Sequence, residues 1–169
     1  MREIAALMAL KRFNHPNITR LHDAFIMRAA DGSISLNVVF ERCNWDLYEF
    51  LNKIPRDMGE GQIKNLARQI FRGVDFLHAN SLIHRDPEAA EHPDQSRSEK
   101  IGTPAAVDWP SDAVVDHSFF SPRPPVPLGS FVPRMCPLAV QLLHSLLQFS
   151  SHLRPTAADC LTHPYFRSR

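Results

Sequence analysis

Phe76-Leu77-His78-Ala79-Asn80-Ser81-Leu82-Ile83-His84-Arg85-Asp86 frames the whole chain. Its opening residues close an apolar stripe formed by Ile63, Leu66, Ala67, Ile70, Val74 and Leu77. That stripe recurs every 3.6 residues and predicts a helix over 62–79. Leu82 and Ile83 then lead directly into a histidine, an arginine and a carboxylate side by side. Taken alone, Asp86 reads as a loop carboxylate capping nearby amides. Pro87-Glu88-Ala89-Ala90-Glu91 follows at once, and the apolar periodicity does not resume.

Working toward the N-terminus, Ile4, Leu7, Met8 and Leu10 fit the buried stripe of a short helix. His15-Pro16-Asn17 breaks the chain. Residues 18–26 and 34–40 read as strands joined at the Asp31-Gly32 turn signal, a plausible antiparallel hairpin. Residues 46–51 suggest a short helix, and Asp57-x-x-Glu60 is a candidate capping box for the long one. Toward the C-terminus, Ala139, Leu142, Leu143, Leu146 and Leu147 form another helical stripe. Thr156-x-x-Asp159 is a candidate N-cap for a last short helix.

These elements divide the chain into three zones: regular structure over 1–86, a Pro-rich irregular segment over 87–137, and helices over 138–169. Ten of the 14 prolines fall in the middle zone, which forbids long helices and central strands there. Pro122-Arg123-Pro124-Pro125-Val126-Pro127 favours polyproline geometry, compatible with a surface linker or with an SH3-type ligand.

Composition sets further bounds. Hydrophobic residues make up 44% of 169 residues, enough for a globular core. A net charge of +1 gives no nucleic-acid footprint. No apolar run is long enough to span a bilayer, and the N-terminus has no signal-peptide pattern. Cys43, Cys136 and Cys160 are scattered, odd in number and without a C-x-x-C pair, so a reducing compartment is the natural reading. Cys160-x-x-His163 is half of a metal motif with no second half, and no metal site is expected. Ser145 beside His144 lacks the elbow motif of a catalytic serine. Trp45 and Trp109 read as packing anchors.

Several blocks, in order, resemble a cyclin-dependent serine/threonine protein kinase, most like the cyclin-D-dependent subgroup. Met1-Arg2-Glu3-Ile4 resembles the end of the cyclin-binding helix C, and Asn14-His15-Pro16-Asn17-Ile18 the loop before strand four. Val38-Val39-Phe40-Glu41 resembles strand five entering the hinge, with Asn44-Trp45-Asp46-Leu47 following. Gly73-Val74-Asp75-Phe76-Leu77-His78 resembles the end of helix E, and His84-Arg85-Asp86 the start of the catalytic loop. Downstream, Ile101-Gly102-Thr103-Pro104 with Asp108-Trp109-Pro110 resembles the insert after helix G. Residues 153–157 and 163–166 resemble the terminal helices.

The resemblance implies an α+β, partial protein-kinase-like fold: mostly helical C-lobe remnants with a small N-lobe hairpin. It implies ATP and magnesium as cofactors. It gives Asp86 the role of proton acceptor, Arg85 that of phosphate receptor and Glu3 that of the helix-C glutamate. It puts adenine at the hinge, with Phe40, Glu41, Cys43 and Asp46 around it. By the same resemblance the partners are a cyclin of the D type and, as further candidates, a kinase inhibitor or a chaperone, with cell-cycle control as the role and nucleus and cytoplasm as the location.

Departures from the family pattern shape the functional expectation. Glu88 stands where the family places a lysine, and Glu91 where it places the metal-holding asparagine. Residues 87–100 contain no Asp-Phe-Gly, and the family's activation segment and helices F and G have no counterpart there. The Gly-rich loop and strand-three lysine are likewise not found. Losing one preorganised electrostatic group costs about 10²–10³ in rate, so impaired catalysis is expected. Without helix F, the stripes at 63–77 and 142–147 must find each other or stay exposed, which predicts low stability. Two other readings stand beside this one: a non-catalytic subunit that binds a cyclin or an inhibitor, and the product of a shortened message, which cDNA sequence across Asp86–Pro87 would decide.

Overall fold

A computed structural model of the chain describes residues 9–53, 58–84, 102–109 and 114–168. It divides into two compact units, Met1–Ala90 and Glu91–Arg169.

In the first unit, β1 (Leu21–Arg28) and β2 (Ile34–Phe40) form a two-stranded antiparallel sheet. The register pairs Leu21 with Phe40 and Arg28 with Ile34, with one irregularity between Leu21 and Asp23. The turn is built by Gly32 at φ +85 and by Asp31, whose carboxylate accepts the Ser33 N–H at 2.9 Å. A positive φ suits glycine because it has no Cβ to clash. The first strand begins and ends later than the sequence predicts, because Ile18 is held in the preceding turn by its N–H bond to His15 O at 3.1 Å. Only Leu21 in this sheet is fully buried. Of the helix expected over Ile4 to Leu10, Ala9 and Leu10 are helical and the rest lies outside the described residues.

Two helices follow, α1 (Leu47–Lys53) and α2 (Glu60–Ala79). The start of α2 corrects the expected capping box. Asp57 lies outside the described residues, and the N-cap is Gly59, whose N–H donates to Gln62 Oε1 at 3.0 Å. Glycine frees the backbone there but supplies no side-chain acceptor, so the reciprocal half of the box has no chemical basis. The helix buries Gly73, Leu77 and the stem of Lys64, whose ammonium meets Glu60 at 3.2 Å one turn back. Gly73 is required by close packing: a Cβ there would lie 2.7 Å from the Asn17 carbonyl. The loop at 13–18 therefore rests directly on α2. Phe13 meets Phe76 edge-on at 5.3 Å, His15 stacks on Phe76 at 4.5 Å, and Asn17 Nδ2 donates to Gln69 Oε1 at 3.3 Å.

The second unit contains α3 (Leu128–Phe131), α4 (Pro137–Leu146), α5 (Ala157–Thr162) and α6 (Pro164–Arg167), with short 3-10 turns at Ala106–Asp108 and His117–Phe119 before α3 and at Ser151–Leu153 between α4 and α5. Ala139, Leu142, Ala157, Cys160, Tyr165 and Phe166 form its core. The expected box at α5 is present in full: Asp159 N–H donates to Thr156 Oγ1 at 3.1 Å, and Thr156 N–H donates to Asp159 Oδ2 at 3.0 Å. Trp109 anchors a second cluster, stacking on Phe149 at 5.3 Å and donating its Nε1–H to Val115 O at 2.9 Å. Trp45 departs from the anchor role expected of it. It is half exposed, with the Lys53 ammonium 4.0 Å above its ring.

The described part of the Pro-rich segment is tied down rather than free. Thr103 N–H donates to Arg123 O at 2.9 Å, and Gly102 at φ +81 lets Pro125 approach where a Cβ would collide. No described helix is long and apolar enough to cross a membrane.

Candidate functional site

The end of α2 aims the residues that precede Arg85. Ser81 N–H donates to His78 O at 3.0 Å and Leu82 N–H donates to Leu77 O at 2.9 Å. Those two bonds are a Schellman ending, with Ser81 in the left-handed region at φ +58. Glycine usually takes that position, and no residue pattern announces that a serine does so here. The reversal turns Leu82, Ile83 and His84 back toward the body of the unit.

There they line a cleft of about 540 Å³ with Leu10, Asn17, Ile18, Thr19, Phe40 and Leu77. Phe40, at the end of β2, and His84, one residue before Arg85, thus share one cavity although they are far apart in sequence. Its lining is mostly apolar, so it can hold an apolar body, and no Lys or Arg is among the residues that line it.

The hinge residues have separate tasks. Glu41 N–H donates to Arg20 O at 2.8 Å, and Glu41 Oε1 accepts the Arg20 N–H at 2.9 Å. This pair closes the base of the hairpin and takes both polar groups out of play. The Glu41 carbonyl keeps only a weak contact with the Cys43 thiol at 4.0 Å, and the Cys43 N–H has no partner among the described residues. One acceptor and one donor, two residues apart, thus carry no strong hydrogen bond among the described residues. Asp46 is committed elsewhere. Its Oδ1 accepts the Glu49 N–H at 2.6 Å and caps α1.

Neither Cys43 nor Asp46 lines the Phe40 cleft. Glu3, Arg85 and Asp86 lie outside the described residues, as do Glu88 and Glu91. Among the described residues no group of three His, Cys, Asp or Glu side chains is placed to hold a metal. His163 Nδ1 accepts the Tyr165 N–H at 3.2 Å as the N-cap of α6. Cys160 is buried, and burial with the nearby Asp159 charge raises its thiol pKa. Ser145 donates to Leu142 O at 2.7 Å within its own helix.

The protein kinase domain family matches residues 1–88. The chain is similar along nearly its whole length to the cyclin-dependent kinase 4 homolog of Caenorhabditis elegans, 26% identical over 99% of this chain and 60% of that relative. It is similar in the same way to cyclin-dependent kinase 4 of Sus scrofa, 29% identical over 98% of this chain and 80% of the relative. Residues of one half also match cyclin-dependent kinase 10 of Homo sapiens, 35% identical over 51% of this chain and 22% of that relative. The chain belongs to the protein kinase family, in its cyclin-dependent branch, and its fold is a partial kinase-like α+β fold. The alignment with the worm relative runs over 243 positions against 169 residues here, so that relative holds stretches this chain lacks.

Kinases of this family use ATP with magnesium, which supplies the transferable phosphoryl group and the charge that neutralises it.

Proposed function

We propose that this chain is a cyclin-dependent kinase family member impaired in phosphoryl transfer. The observation that carries this reading is the sequence after Asp86, where Glu88 and Glu91 replace the family's lysine and asparagine and no Asp-Phe-Gly follows before Ile101. Phosphoryl transfer depends on positioning and charge neutralisation rather than covalent participation. A second carboxylate where a lysine neutralises charge adds repulsion toward the phosphates. Asp86 could still accept a hydroxyl proton, and Arg85 and Glu3 would keep their family positions, but the substrate phosphates would not be held. That the worm relative holds stretches this chain lacks is consistent with a missing internal block, which the sequence between Asp86 and Ile101 would accommodate.

Thermal denaturation with ATP, in the presence and absence of magnesium, tests this. A nucleotide at one hundred times its dissociation constant stabilises a protein by about 2.7 kcal/mol. The expected result is no magnesium-dependent increment in melting temperature. A magnesium-dependent shift of that size would show a working metal site.

A second reading is favoured by the hairpin, which presents Phe25, Ile26, Met27 and Ile34 to solvent. A non-catalytic subunit could bind a D-type cyclin, or a kinase inhibitor, through the region of helix C and this hairpin, in nucleus and cytoplasm. Exposed apolar surface of this kind also suits capture by a chaperone. A pull-down with purified D-type cyclin tests the reading; no retention of chain that melts cooperatively would remove it.

A further inference from the structure

Serine or threonine stands directly before proline at two places, Thr103-Pro104 and Ser121-Pro122. Proline pushes the preceding residue out of the helical region into extended geometry. It also lacks an amide hydrogen, which marks the pair for an enzyme that binds its substrate as an extended segment. By sequence the two sites are equivalent; the structure separates them.

Thr103 is half-buried, and its hydroxyl is used twice. It donates to Ser121 O at 2.8 Å and accepts the Arg123 N–H at 3.2 Å. With the Thr103 N–H bond to Arg123 O at 2.9 Å, this makes a clasp that holds 102–104 against 121–125. His117 adds a contact of 2.9 Å to Pro104 O. Ser121 sits on the outside of the same clasp. It is exposed, and its hydroxyl has no hydrogen-bond partner among the described residues. Phe119, two residues before, is 80% exposed. From Ser121 to Pro127 the chain carries neither helix nor strand. The clasp therefore engages only the backbone of Ser121 and leaves its side chain presented.

We propose that Ser121 is a phosphoacceptor for a proline-directed serine/threonine kinase, and that the clasp shields Thr103 from the same enzyme. In the reaction Ser121 Oγ attacks the γ-phosphorus of ATP held by that kinase. The Oγ–P bond forms, the bond from γ-phosphorus to the β,γ-bridging oxygen breaks, ADP leaves, and the hydroxyl proton passes to the kinase's base. The product carries about −1.5 to −2 added charge at neutral pH. Arg123 lies two residues on in the sequence.

The test uses the full chain, a purified proline-directed kinase and γ-labelled ATP with magnesium, with sites mapped by mass spectrometry over time. The expected result is label on Ser121 that requires the added kinase, disappears in Ser121→Ala and returns in Ser121→Thr. Label on Thr103 should appear at least about tenfold more slowly, because it waits for local opening of the clasp. No label on Ser121, or Thr103 labelled as fast as Ser121, overturns the proposal. A melting curve for Ser121→Ala that matches the unsubstituted chain guards against loss by misfolding.

Discussion

At Ser81 a non-glycine residue holds a left-handed conformation that L side chains resist by about 1–2 kcal/mol. The conformation persists because two backbone bonds close the end of α2 around it and because Leu82 is delivered into the Phe40 cleft. Ser81→Gly should therefore raise stability by about 1 kcal/mol, the relieved strain exceeding glycine's extra unfolded-state entropy. Chemical denaturation would show this as a higher midpoint at unchanged slope; an unchanged or lower midpoint would mean no strain is stored there. The cysteines give a second residue-scale expectation. Cys43 is exposed, whereas Cys160 is buried with its thiol pKa raised by desolvation. Since the thiolate is the reactive form, a thiol reagent should label Cys43 in the native chain and Cys160 only on unfolding. Equal rates would contradict the packing around α5.

Among the elements, the ones stated most plainly by the sequence were those whose signal is local. The long helix follows from six apolar residues at helical spacing, β2 from a run ending at Phe40, and α5 from Thr156 and Asp159. What the sequence hid depends on tertiary contact or on chemistry with no spacing rule. Gly59 replaces Asp57 as cap, Asp46 caps α1 besides standing in the hinge, and Thr103 reaches Ser121 across eighteen residues. The joining of Phe40 and His84 in one cleft could be foreseen only through family resemblance. The α5 cap has a pH signature. Hydrogen bonds from Thr156 hold the Asp159 carboxyl below its ordinary value of 3.8. A lowered folded-state pKa contributes stability above the unfolded value and loses it as pH falls through the folded value. Acid unfolding should thus include a component below pH 3.8 that Asp159→Asn lacks. Identical acid profiles would remove the box as a source of stability. In the first unit, Gly73→Ala should cost about 1–3 kcal/mol, because the added methyl meets the Asn17 carbonyl at 2.7 Å. Tolerance of that change would show that the 13–18 loop does not need its seat on α2.

On the scale of the whole molecule, the described residues bury few large side chains and leave many exposed. Leu21 and Leu77 are the buried large apolar residues of the first unit, while Ile26, Ile34, Ile63, Ile70 and Ile83 are all more than 40% exposed. Folding free energy is a small difference between large terms, so such a chain has little margin. Leu21→Ala, at about 2–5 kcal/mol, should abolish cooperative melting of the first unit; a retained sharp transition would argue for a larger core. The same thinness bears on catalysis, because a phosphate-gripping site needs groups held rigidly in place. The chain is kin to cyclin-dependent kinases, and the proposed loss of phosphoryl transfer is read by following label from γ-labelled ATP to a protein substrate, using the purified chain with magnesium and a D-type cyclin. No incorporation above that of Asp86→Ala is expected. Efficient transfer that Asp86→Ala abolishes would contradict it.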